Sequence, residues 1–105
     1  MKKIIEHAPE VAKSFFNLTE TITQHSNSID RKTKELILIG IFTAAGGYKG
    51  IGTHAQRALE AGATQEEIIS SILFAIPVVG ISKVNLSLEE VFKIQSKGDD
   101  YHAID

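Results

Sequence analysis

Residues 36–45 read Leu-Ile-Leu-Ile-Gly-Ile-Phe-Thr-Ala-Ala. Wound at 3.6 residues per turn, this run presents apolar side chains in nearly every direction, so the helix must be covered on all sides. A chain of 105 residues has little other surface to cover it with. This one segment predicts both a helical fold and an assembly of several copies. Segment 68–81, with Ile68, Ile69, Ile72, Leu73, Phe74 and Ile76, is a second apolar excess of the same kind.

The rest of the chain is helical in pattern, and no strand is convincing. Pro9 suits the first position of a helix, where its missing N–H costs nothing. Val11, Phe15, Leu18 and Ile22 then form one stripe, with Phe16 beside it. The polar stretch 24–28 ends that helix. Asp30 is placed to cap the second helix, which contains the apolar run. Four glycines fall within residues 46–52, which predicts a tight turn, a close backbone approach, or both. A third helix runs through His54, Ala55, Ala58 and Leu59, and Gly62 suits its left-handed end. Thr64 and Glu67 form a capping box for a fourth helix, which Pro77 and Gly80 kink or end. A fifth covers 81–97 with Val84, Leu88 and Val91 as its stripe. The expectation is an all-α domain, residues 1–98, of about five helices around a central antiparallel helix pair, followed by a loose polar tail, 99–105.

Composition removes several function classes. Eleven basic against thirteen acidic residues, a formal charge of −2, give no electrostatic footprint for nucleic acid or an anionic membrane. There is no cysteine, which excludes disulfides, thiolate metal sites and thiol nucleophiles. No two histidines show the i, i+4 spacing of a helical metal site, so neither a metal nor a cofactor is expected. No apolar run reaches the length of a membrane span, and no apolar segment follows Met1-Lys2-Lys3, so the expected location is the cytoplasm.

Within 34–80, the strings "KELILIGIFTAAGG" and "HAQRALEAGATQEEIISSILFAIPVVG" resemble the carboxymuconolactone decarboxylase family, which also contains the alkylhydroperoxidase-D-like proteins. The resemblance implies an alkylhydroperoxidase-D-like helical domain and a homo-oligomer, a trimer or hexamer. In the peroxidase branch the motif is a glutamate, a Cys-x-x-Cys and a histidine four residues later. The glutamate falls on Glu35, the histidine on His54, and the two cysteines on Gly47 and Gly50. Glycine cannot replace a thiolate nucleophile, so peroxidase or peroxiredoxin chemistry is not carried over. The decarboxylase branch also lacks the cysteines and keeps the histidine, and it acts on a lactone with two carboxylates. Such a dianion calls for charged or forked donors, and here Arg57 and Lys49 are the candidates.

A turn at Gly46-Gly47 sets Glu35 and His54 side by side on antiparallel helices, whereas a turn near Gly50 puts them several turns out of step. If they meet, the carboxylate orients the imidazole, and His54 serves as general acid or base. Gly50 and Gly52 would then leave room for a small-molecule ligand at the start of the third helix. A plainer reading stands beside this one. Glu35 is then a helix-start glutamate, His54 a hydrogen-bonded helix residue, Arg57 an ion-pair partner of Glu60 or Glu66, and the glycines serve the turn alone. On that reading Phe15, Phe16 and Phe42 are core, and His7, His25 and His102 are scattered surface residues. Two functions follow: a lyase-type acid–base catalyst on a small carboxylated lactone or keto acid, or an inactive binding or structural oligomer.

Overall fold

The computed structural model describes the backbone of residues 1–104 and the side chains of residues 1–93. The backbone groups into two compact units, Met1–Asp30 and Arg31–Asp105. All regular structure among the described residues is helical.

The first unit is a short helix α1 (Lys2–His7) and a long helix α2 (Pro9–His25). Helix α1 was not expected from the sequence. It ends at Ala8 (φ −147°, ψ 65°), outside the helical region that a following proline disfavours. Pro9 then opens α2 as anticipated. The stripe of α2 is not core: Val11, Phe15, Leu18 and Ile22 are each more than half exposed, and Phe16 nearly so. The expectation that Phe15 and Phe16 are buried is therefore corrected. The buried residue of α2 is instead Ala12.

The second unit holds α3 (Arg31–Ala45), α4 (Tyr48–Glu60), α5 (Gln65–Leu73), α6 (Ile76–Val79) and α7 (Ile81–Ile104). Helices α3 and α4 form the central antiparallel pair, closed by only Gly46 and Gly47, and α5 and α7 pack against both. Gly46 sits at φ +75°, while the Gly46 N–H donates to the Thr43 carbonyl and the Gly47 N–H to the Phe42 carbonyl. Helix α4 ends the same way. Gly62 lies at φ +97° and donates to Leu59, and Ala63 donates to Ala58. Both are Schellman ends, in which the left-handed residue turns the chain so that free carbonyls find donors. The core between these helices is Ile39, Ile51, Ala55, Ala58, Ile68, Ile72, Val84 and Val91.

The expected fourth helix is two pieces. Pro77 has no N–H to give to the carbonyl of residue 73, so α5 stops at Leu73 and the short α6 restarts with the proline in its first turn. The capping box is complete. The Glu67 N–H donates to Thr64 Oγ1 at 3.1 Å, and the Thr64 N–H donates to Glu67 Oε1 at 2.9 Å. The outward side of α3 stays open, with Ile37 and Ile41 46% and 58% exposed, and Phe74 and Val78 at 80% beside them. These residues border an apolar groove of about 420 Å³ that runs between α3 and α5–α6. The tail expected over 99–105 and the place of Ile94 fall where side chains lie outside the described residues.

Candidate active site

Glu35 lies in the second turn of α3, and His54 lies mid-way along α4. The two-residue turn folds α4 back along α3, so the two side chains meet. Nδ1 of His54 is 2.6 Å from Oε2 of Glu35. An ionised carboxylate only accepts, so the imidazole donates from Nδ1–H, and Nε2 becomes the free position of the neutral ring. Both side chains are largely enclosed, 13% exposed for Glu35 and 15% for His54. The short distance and the burial are what set this contact apart from surface ion pairs such as Arg31–Glu60 at 3.8 Å. Nε2 makes no hydrogen bond among the described residues and is not among the buried unpartnered atoms, so its tip is open to approach.

Phe42 completes the surroundings. It lies two turns after Glu35 on α3, and its ring stacks on His54 with centroids 4.9 Å apart and planes 28° apart. The same ring lies against the backbone of the α4 start. A Cβ on Gly47 would come within 2.8 Å of Phe42 Cδ1, and a Cβ on Gly50 within 2.7 Å of Cε1. These are the two positions where the peroxidase branch has cysteines. Phe42 thus occupies the space that their side chains would need. In the direction of a Cβ at Gly50 the room is taken by an aromatic ring of the chain itself, while Gly50 and Gly52 each border a surface hollow on another side. Nothing in the sequence marked Phe42 for this role, since an apolar residue inside an apolar run reads as core.

The candidate binding residues do not gather around the pair. Arg57 and Lys49 are exposed and line a shallow hollow of about 660 Å³ with Thr53, Gln56, Glu60 and Glu90. Neither Glu35 nor His54 lines it. On a helix, residues 49 and 54 differ by about 140° around the axis, so Lys49 cannot share the face of His54. Lys49 also borders a second hollow of about 360 Å³ with Phe42, Gly46, Gly47, Tyr48 and Gly50. Arg57 pairs with neither Glu60 nor Glu66 among the described residues; Glu60 reaches Arg31 instead. Among those residues no three His, Asp or Glu side chains converge on a point where a metal could sit.

The model of the carboxymuconolactone decarboxylase family matches residues 9–92, from the start of α2 into α7. The chain belongs to this family. No curated protein and no solved structure matches it. The chemistry open to this member is limited by its own residues: a buried carboxylate–imidazole pair with Nε2 free, and no thiol.

Proposed function

We propose that this protein is a cytoplasmic acid–base catalyst of the lyase or decarboxylase type, acting on a small carboxylated lactone or keto acid. His54 gives or takes the proton at Nε2. Glu35 accepts the hydrogen bond from Nδ1, holds the ring in one tautomer, and offsets the positive charge of the imidazolium when it forms. The single observation behind this reading is the 2.6 Å contact between two side chains at most 15% exposed. Removing a positioned acid–base group costs typically about 10²–10⁴-fold in rate. His54→Gln should therefore lose about that much kcat/KM in a screen of lactone and β-keto acids, with the helical circular dichroism retained. Glu35→Gln keeps the shape but can donate its own N–H to Nδ1 and so favour the wrong tautomer. Its loss should be of comparable size, by analogy with a buried aspartate behind a catalytic histidine, where the cost is about 10⁴-fold. Normal turnover by both variants would rule the reading out.

A second reading, a binding or structural oligomer without catalysis, is favoured by one observation: the Phe42 ring covers a face of His54. Thiol peroxidase activity is not supported in a chain without cysteine. Peroxide consumption with a dithiol reductant should stay at background. We further propose that the working form is a homo-oligomer, a trimer or hexamer, which covers the open stripe of α2 and the apolar groove of α3. A small carboxylated ligand remains the expected partner, with Arg57 and Lys49 available to attract it toward the α4 surface rather than to clamp it beside His54.

A further inference from the structure

We propose that Phe42 is a positioning residue for His54: its ring sets the tilt of the imidazole plane, while Glu35 sets which edge of the imidazole is held. The inference rests on the reading of His54 as the proton-transfer group and deepens it. The contact to Glu35 fixes the imidazole at one atom, with Nδ1 2.6 Å from Oε2. That bond selects the tautomer and the edge that faces Glu35. It leaves the plane free to rock, because the outer torsion of a histidine, χ2, has a broad minimum. The lone pair of Nε2 lies in the ring plane, so a rocking plane aims it poorly. A second contact, made to a face, removes this freedom. Phe42 supplies it, with ring centroids 4.9 Å apart and planes 28° apart. Because the contact is to a face, it steadies the plane and leaves Nε2 open at the edge.

A support must itself be held. Gly47, Gly50 and His54 are spaced three and four apart, which makes one stripe along the start of α4. Phe42 lies seven residues after Glu35, two turns further along the facing α3. Its ring lies along that stripe. A Cβ on Gly47 would come within 2.8 Å of Phe42 Cδ1, and a Cβ on Gly50 within 2.7 Å of Cε1 and 3.0 Å of Cδ1 and Cζ. Only bare backbone at these positions lets the ring come so close. The backbone of the two glycines backs the ring, and the ring backs the imidazole. A catalytic group must be held within about 10–20° of its productive direction. The stack is the feature of this site that holds the second angle.

The test is side-chain NMR of the intact protein with isotope-labelled histidine and isoleucine, at alkaline pH where an imidazole is neutral. The ring nitrogen shifts of His54 report its tautomer, and relaxation of its ring C–H bonds gives an order parameter for the plane. The parent should show the Nδ1–H tautomer and an order parameter near the ~0.85 of rigid structure. Phe42→Leu keeps an apolar side chain against the core and removes the plate. It should retain the tautomer and drop the order parameter below ~0.6. Gly50→Ala pushes the ring away and should lower the order with both Phe42 and His54 in place. Phe42→Tyr keeps the plate and should keep the order. Glu35→Gln should do the converse, shifting the tautomer while the plane stays ordered. The methyl groups of Ile51 and Ile68, buried in the core, are the reference, because a general packing defect loosens them together with His54. The proposal is overturned if His54 is already mobile in the parent, or if Phe42→Leu leaves its order unchanged. It is equally overturned if Phe42→Tyr loses the order as fully as Phe42→Leu, or if order at His54 falls only where the core methyls loosen too. All of this is read without substrate. Normal turnover by His54→Gln would remove the catalytic reading and with it the purpose of the stack, whereas a mobile ring in a protein whose turnover depends on His54 would remove only the role of Phe42.

Discussion

Phe42 and Gly50 are a matched pair, and their coupling can be measured. In the parent, Gly50→Ala places a methyl 2.7 Å from the ring, well inside van der Waals contact. Overpacking of this kind costs about 1–3 kcal/mol. With Phe42→Ala already present, the three ring atoms nearest that methyl are gone, and the higher helix propensity of alanine should stabilise α4 by about 0.5–1 kcal/mol. Urea unfolding of the four proteins in this cycle should therefore show Gly50→Ala changing sign with the residue at 42. Equal effects in both backgrounds would mean that the ring yields freely. That Glu35 and His54 could meet was legible from their spacing about a turn at Gly46-Gly47, and the interest of the pair from the family resemblance. The stacking of Phe42 was not, because it depends on the rotamer of one side chain and on how closely α4 approaches α3.

At the scale of the helix, the ends obey short-range chemistry. The capping box of α5 joins Thr64 and Glu67 in both directions. The Thr64 N–H holds the Glu67 carboxyl below its ordinary value, and the Lys32 ammonium 3.1 Å away adds to this. A carboxyl whose folded value is depressed contributes stability that is present above its unfolded value and is lost as pH falls through the folded one. Protection factors at the first turn of α5, with exchange referred to the intrinsic rate at each pH, should therefore fall as pH is lowered through and below the ordinary carboxylate range, and Thr64→Ala should weaken the helix start by about 1 kcal/mol at neutral pH. Protection factors at that turn that ignore acid would contradict the role of Glu67. These ends could be read directly from sequence because each involves residues three to six apart. The break at Leu73 was placed too late by the same method, since the proline acts four residues upstream of itself through the N–H it lacks.

Across the whole molecule, apolar exposure is the fact that asks for a partner. Ile41, Phe74, Val78 and Ile81 are each 58–80% exposed, and the stripe of α2 is open as well. Monomeric proteins seldom leave contiguous apolar patches of this kind uncovered. Sedimentation at neutral pH should give a mass that is a multiple of 11.5 kDa, and a single-chain mass would refute the oligomer. Ile41→Lys, placing a charge in the apolar groove, should shift the equilibrium toward the single chain, because a buried unpaired ammonium is costly. Periodicity, capping residues and glycine placement were enough to specify helices, most of their ends, and which faces are apolar. Those signals are local, acting within about two helical turns. Whether an apolar face is core or open, whether Arg57 joins His54, and what fills the space beside two glycines depend on how helices distant in sequence are packed. That packing brought Glu35 to His54 across nineteen positions and set an aromatic ring against Gly47 and Gly50.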